Sequence, residues 1–353
     1  MSYEPEEPAV DVQLNTLYVV TRGATVRRDH LTLQVVVEHQ TRLTVPIHQL
    51  ESVAAFGGVH VTPGAMGLCA ENGVAVNFLT ESGRLVARVD APSSGNVLLR
   101  REQFRRADDP VARGRVSRCL IAGKLHNCRN LLLRAGRETG DATDQTALSG
   151  AAGHLAGVIP NLEADTDADT VRGREGDAAR VYFAAFGSMV RVGRVEFAPS
   201  GRTRRPPLDR MNALLSFLYA LLTHDCVSAC AAAGLDPSVG FLHVDRPGRP
   251  GLALDLMEEF RPLLADRLAL TLVNRQQVKA GGFEFRDGGA VSMDDTTRKA
   301  VLSAYQQRKR EEVTHPYLDQ KVPLGRLPFL QARVFARHLR GDLPIYLPCV
   351  PKN

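Results

Sequence analysis

The sequence predicts an α+β protein, with a small N-terminal β-sheet or sandwich domain followed by a larger all-α C-terminal domain. Three observations carry this. Short β-rich runs crowd residues 14–90, the Pro/Ser/Gly cluster DAPSSG follows, and from Val97 onward apolar residues recur at spacings of three and four. At 353 residues the chain is long for one domain, and 44% hydrophobic with 24% charged residues supplies sizeable cores. The expected organisation is a β-rich domain over 1–90, a linker over 91–99 and a helical domain over 100–353.

Taken in order, LYVVT, LTLQVVVE, RLTVPI, GVAVNFL and LVARVD read as strands separated by Gly, Asp, Asn and Pro turn signals. TRGATVRRDHLTLQVVV reads as one hairpin and ESGRLVARV as another, while GLCAENG reads as a short helix ending at Gly73. Helices are predicted across Val97–Arg137, where Leu98, Leu99, Phe104, Leu120, Ile121, Leu125, Leu131 and Leu132 keep helical spacing. NALLSFLYALLTHDCVSACAAAGL is an apolar helix ending at Gly234. LALDLMEEFRPLLADRLALTLVNR supplies at least one more helix, interrupted or kinked near Pro262. Residues 280–292 suggest a short hairpin or a structured loop, 325–340 a final helix, and the Pro-rich tail DLPIYLPCVPKN no regular structure.

Composition narrows the function classes. No apolar run reaches the roughly 18–20 residues of a membrane span. MSYEPEEPAVDVQ is acidic and unlike a signal peptide, so a cytoplasmic protein is expected. Six cysteines without any CxxC read as buried thiols, including Cys226 and Cys230 four apart on an apolar helix. The formal net charge is +5, and basic residues bunch over 100–137 and again from Arg298 to Arg340. Such bunching suggests a polyanion partner, although solvated helix faces produce the same pattern.

The segment GFLHVDRPGRPGLALDLMEEFRP combines a lone histidine, a Pro/Gly turn and three acids in an apolar helix start. On a helix Asp255, Glu258 and Glu259 share roughly one side, where like charges repel unless a cation intervenes. Either this is a loop entering a core helix, or His243 and those carboxylates converge on a metal ion. Upstream, RGREGD places Glu175 and Asp177 at the start of a helix, where acids also complement the helix dipole. Asp165, Asp167 and Asp169 are spaced like the start of a calcium loop. They lack its glycine and terminal glutamate, so a solvated loop is expected. Asn212, Ser216 and Tyr219 form a polar seam on an apolar helix, able to line a site or to bond nearby backbone.

REGDAARVYF, NALLSFLYALL, GFLH and LALDLMEEFRP, in this order behind a β-rich N-terminus, resemble the CRISPR-associated integrase family, the "Cas-one" subunit of spacer acquisition. The resemblance covers nearly the whole chain. It implies a divalent-metal centre of a glutamate, a histidine and a second acid, which fall on Glu175, His243 and Glu258, with Asp255 as a nearby supporting carboxylate. Two carboxylates and an imidazole suit Mg²⁺ or Mn²⁺ better than zinc. The implied activity is that of a metal-dependent endonuclease and strand transferase in antiviral defence. It joins the 3′-hydroxyl of captured DNA to a CRISPR repeat. The implied partners are double-stranded DNA, a second copy of the chain through the β domain, and the small dimeric "Cas-two" subunit. The rival reading is a catalytically inactive DNA-binding scaffold, which would not need the complete Glu175, His243, Glu258 set.

Overall fold

The computed structural model describes residues 15–81, 83, 85–89, 97–164, 167–199 and 201–351. The chain divides into two compact units, 1–93 and 94–353. Residues 91–96 of the expected linker lie outside the described residues, and 97–99 already belong to a helix rather than to a linker.

The first unit contains β1 (Asn15–Val19), β2 (Thr25–Asp29), β3 (Thr32–Val37), β4 (Gln40–Pro46), β5 (Leu50–Phe56), β6 (His60–Val61), α1 (Pro63–Glu71), β7 (Ala75–Leu79) and β8 (Leu85–Val89). Two four-stranded sheets form, in the orders β1-β5-β7-β8 and β4-β3-β2-β6. Both expected hairpins are present, as β2–β3 and β7–β8. Between β3 and β4, Glu38 and His39 both take positive φ, the backbone that a tight two-residue hairpin turn requires. β5 is missing from the sequence reading for a physical reason. It pairs in parallel with β1 and β7 and is buried at nearly every position, so LESVAAF shows no alternation. Thr62 caps α1 by accepting the Ala65 N–H, Pro63 starts the helix, and Gly73 at φ +69° follows its end. Leu17, Val26, Leu33, Val53, Leu68 and Val76 share one core between the sheets and α1.

The second unit contains α2 (Val97–Asp108), α3 (Pro110–Glu138), α4 (Ala142–Asn161), α5 (Ala168–Ala184), α6 (Arg194–Phe197), α7 (Arg210–Ala232), α8 (Gly251–Phe260), α9 (Arg267–Asn274), α10 (Asp295–Arg310) and α11 (Leu327–Arg340). It is helical apart from two small ribbons: the expected one, β9 (Phe283–Phe285) with β10 (Val291–Met293), and an unexpected one, β11 (Glu312–Thr314) with β12 (Lys321–Pro323). The 29-residue α3, capped by Asp109 and opened by Pro110, packs against α4, α5 and α8. One expectation is corrected. α7 is long and apolar enough to cross a membrane by composition, but 83% of that apolar window is buried within the unit, so packing accounts for its hydropathy.

Between α8 and α9 the kink expected at Pro262 is a π-helical stretch, Arg261–Asp266. Proline supplies no N–H to the carbonyl four residues back, and the ladder widens there. In an α-helix, residues five apart point about 140° away from each other. The π geometry instead lets Arg261 and Asp266 both reach Tyr219: the Arg261 guanidinium lies 4.2 Å from its ring centre, and the Tyr219 hydroxyl donates to Asp266 Oδ1 at 2.5 Å.

Candidate metal centre

Asp255, one turn into α8, is completely buried and organises the loop carrying His243. Its Oδ2 accepts the backbone N–H of Phe241 (2.5 Å) and Leu242 (3.0 Å), and its Oδ1 accepts that of His243 (2.9 Å). The same Oδ1 lies 2.7 Å from His243 Nδ1. A carboxylate accepts here, so Nδ1 carries a proton, and in the neutral imidazole the lone pair is on Nε2. Arg113 on α3 and Arg172 on α5 donate to the carbonyls of Phe241 and Leu242, so three helices fix the loop. The approach requires glycine. A Cβ on Gly240 would lie 2.9 Å from the carbonyl carbon of Gly251, and one on Gly251 would lie 2.6 Å from the Ser238 oxygen.

Glu175 stands well inside α5, whose N-cap is Asp167, so the first-turn dipole role anticipated for Glu175 and Asp177 does not apply. Asp177 instead pairs on the surface with Arg180 and His154. Of the calcium-like spacing, Asp165 lies outside the described residues, Asp167 is the cap, and Asp169 pairs with Arg172. Glu175 meets Glu258 through one buried ammonium: Lys124 Nζ, on α3, bonds Glu175 Oε1 and lies 2.6 Å from Glu258 Oε2. Arg261 Nη1 donates to both Glu258 oxygens, at 2.8 and 2.9 Å. Burial alone would push the Glu258 carboxyl up. Arg261 and Lys124, aided by His243, outweigh it and hold the group well below the usual carboxylate range. Burial likewise opposes the Lys124 charge, but Glu258 and Glu175 outweigh it and raise its pKa.

The three acids of α8 therefore do not converge. Asp255 serves the loop, and Glu258 faces Lys124 and Arg261. Glu259 turns to the C-terminal tail, accepting from the Tyr346 hydroxyl (2.6 Å), the Cys349 N–H (2.7 Å) and the Gln331 amide (3.3 Å). Burial pushes the Glu259 carboxyl up to about 7 despite these donors.

The residue pattern over 17–307 matches the model of the family described as CRISPR associated protein Cas1. The chain belongs to the Cas1 family. It is 51% identical to the CRISPR-associated endonuclease Cas1 2 of Rhodospirillum rubrum, over 95% of this chain and 98% of that protein. It is 50% identical to the CRISPR-associated endonuclease Cas1 1 of Moorella thermoacetica, over 96% and 98%. The fold is shared with a Cas1 protein from Thermotoga maritima (TM-score 0.77, 23% identity, 96% of this chain and 100% of that one). It is shared also with a casposase bound to its integration product (0.78, 20%, 94% and 92%). A chain of a Cas6-RT-Cas1–Cas2 complex has it too (0.80, 21%, 100% of this chain and 37% of that one).

In this Cas1 family member, Lys124, Arg261, Asp266 and Tyr182 complete the buried network and were not singled out from sequence as site residues. Tyr182 and Tyr219 both donate to Asp266, whose carboxyl burial raises. The signal for Lys124 was available: it interrupts the buried stripe Leu120, Cys128, Leu131 at helical spacing. Of the two roles open to the Asn212 seam, the bonds seen for Asn212 are to nearby side chains and backbone. Asn212 bonds backbone at Gly201 and Thr203, and Ser216 accepts from Arg202. Tyr219 joins the network.

Among the described residues, no three His, Cys, Asp or Glu side chains are gathered as placed into a set able to hold a metal ion. The donor chemistry nonetheless fits a hard cation. Glu175 and Glu258 already converge on a single positive centre, the Lys124 ammonium, which stands in for one. The basic segments are partly internal. Lys124, Arg308 and Lys309 are buried, whereas Arg101, Arg115, Arg137, Arg310, Arg333 and Arg337 are exposed.

Proposed function

We propose that this Cas1 family chain is the integrase of CRISPR spacer acquisition, a metal-dependent DNA strand transferase and endonuclease acting in antiviral defence. The observation that carries the reading is the convergence of Glu175 and Glu258 on one buried cation, on the same helix framework that presents His243 with Nε2 free.

Glu175, His243 Nε2 and Glu258 would hold Mg²⁺ or Mn²⁺, with Asp255 orienting the imidazole and Arg261 fixing Glu258. When bound, such an ion supplies charge stabilisation at phosphoryl oxygens. The chain's own residues do the rest. Asp255 fixes the tautomer, Arg113 and Arg172 anchor the loop, and Lys124 neutralises the paired carboxylates before an ion arrives. In the transfer, the 3′-hydroxyl of captured DNA forms a new P–O bond at the repeat. The old P–O bond breaks and leaves a 3′-hydroxyl on the cut strand. With water as the nucleophile the same centre hydrolyses DNA.

Exposed arginines of the two basic segments would hold backbone phosphates of double-stranded DNA with little base selectivity. The family resemblance adds a homodimer through the β unit and a "Cas-two" partner, and a solved fold neighbour in a complex with Cas2 supports the latter. A DNA substrate of this kind would fit a cytoplasmic location. The test is strand transfer on labelled repeat-containing DNA with the partner present, with and without Mn²⁺, for wild type and His243→Ala. Metal-dependent product lost in the variant while DNA binding persists supports the integrase. Tight binding by an inactive wild type favours the scaffold.

A further inference from the structure

α3 rises about 1.5 Å per residue, so Arg134 stands about 15 Å along the helix from Lys124. There a cleft of about 270 Å³ opens between the end of α3, residues 188–191, α9 and the end of α10. Five guanidiniums line it, those of Arg134, Arg191, Arg267, Arg275 and Arg308, against only two carboxylates. Both carboxylates are already engaged. Glu138 lies 2.8 Å from Arg134 and 3.6 Å from Arg191, and Glu311 pairs with Arg308. Among the described residues no carboxylate lies within ion-pair distance of Arg267 or Arg275.

A second observation comes from the floor of the cleft. Arg308 is only 7% exposed, donates from Nη1 and Nη2 to Glu311 and to the Leu263 carbonyl, and leaves its Nε buried without an acceptor. Buried N–H donors left unpaired are uncommon because each forfeits its hydration. Burial, together with Arg308 and Arg134, pushes the Arg267 guanidinium down to about 10. A positive group held beside other positive groups and away from water is stabilised by an anion with several acceptor oxygens.

We infer that this cleft binds a phosphate-class anion, separately from the proposed metal centre, with Arg267 and Arg275 as its donors and the buried Arg308 adding positive charge beneath them. Guanidinium forks match tetrahedral oxyanions, and the cleft has room for one with a substituent attached. The phosphate has two possible sources, a free anion such as pyrophosphate or the phosphate terminus of a nucleic-acid strand.

The experiment uses the full chain without divalent ions. Thermal unfolding is followed in pyrophosphate and in chloride at equal ionic strength, for wild type, Arg267→Gln and Arg267→Gln/Arg275→Gln. Pyrophosphate is expected to raise the wild-type Tm beyond chloride, and the double variant to bind it about tenfold more weakly or worse. Without the anion, Arg267→Gln should unfold no earlier than wild type, because it relieves crowding among like charges. Anisotropy with 5′-phosphorylated and 5′-hydroxyl oligonucleotides then separates the sources. A preference for the 5′-phosphate that disappears in the double variant identifies a strand terminus, and no preference identifies a free anion. Equal responses to pyrophosphate and chloride, or equal pyrophosphate shifts in wild type and double variant, overturn the inference.

Discussion

Lys124→Met is the most informative single change, because it removes the cation on which Glu175 and Glu258 converge while roughly preserving volume. Breaking a buried ion pair from one side costs about 3–5 kcal/mol, since the remaining charge is left uncompensated. The structure places this variant at the lower end. Glu258 keeps both bonds to Arg261, and the Glu175 side chain, 19% exposed, reaches some water. About 3 kcal/mol corresponds to a Tm lower by about 6–12 °C for a unit of this size. The assay is thermal unfolding in chelator and in millimolar Mn²⁺. In chelator the variant should melt early, and Mn²⁺ should recover more of its Tm than it adds to wild type, because the ion no longer competes with an ammonium. A Tm unchanged in chelator, or an equal response of both proteins to Mn²⁺, would falsify the reading of Lys124 as a stand-in cation.

Other perturbations test the remaining parts. Asp255→Asn should weaken Mn²⁺ binding and strand transfer by about 10–100-fold, because the negative charge is lost and one accepting oxygen becomes an NH₂ that must face either the imidazole Nδ1–H or the loop N–H groups; calorimetric Mn²⁺ titration reads this, and wild-type affinity would contradict it. Glu259 has a folded pKa of about 7 against an ordinary value of 4.5, so the folded state holds its proton longer than the unfolded one. Its contribution is fully present below about pH 4.5 and is lost as pH rises through about 7, some 3 kcal/mol in all. Glu259→Gln should therefore flatten the pH dependence of unfolding in that window, and a profile parallel to wild type would refute the shift. Gly251→Ala forces a methyl to 2.6 Å from the Ser238 oxygen and should cost about 1–3 kcal/mol. Gly67→Ala in α1, with open space around it, should be neutral or stabilising by up to about 1 kcal/mol when both are compared by denaturant unfolding.

Much of the fold was legible where a single physical signal dominates. Turn residues between alternating strands announced the β2–β3 hairpin, and helical spacing announced α3 and α7. β5 was hidden because a strand buried on both faces has no polar phase. The β11–β12 ribbon was hidden because three-residue strands carry too little pattern. At the site, His243, Asp255 and Glu258 were marked by polarity in apolar surroundings, whereas Glu175, set in the polar run RGREGD, was marked only by the family resemblance. Spacing could not show which way each side chain turns. Adjacent Glu258 and Glu259 face different partners, contributed by residues 124 and 346. Lys124 looked like one more member of a basic run, since charge counting does not distinguish an exposed arginine from a buried ammonium.

Those two adjacent glutamates link the site to the end of the chain. Glu258 meets Lys124, while Glu259 packs beside Gly123, the preceding residue on α3. A Cβ on Gly123 would approach Glu259 Cγ at 3.3 Å and Pro348 Cβ at 2.7 Å. Asn127, one turn further along α3, donates to the carbonyls of both Glu259 and Cys349 at 2.9 Å. One helix–helix contact, α3 on α8, thus sets both the carboxylate pair and the seat of the tail. Residues sharing such a contact couple rather than add. The Lys124→Met and Glu259→Gln effects on unfolding should consequently differ from their sum by at least about 0.5 kcal/mol in the double variant. Strict additivity would mean that the tail and the carboxylate pair are held independently, and that the shared α3–α8 contact transmits nothing between them.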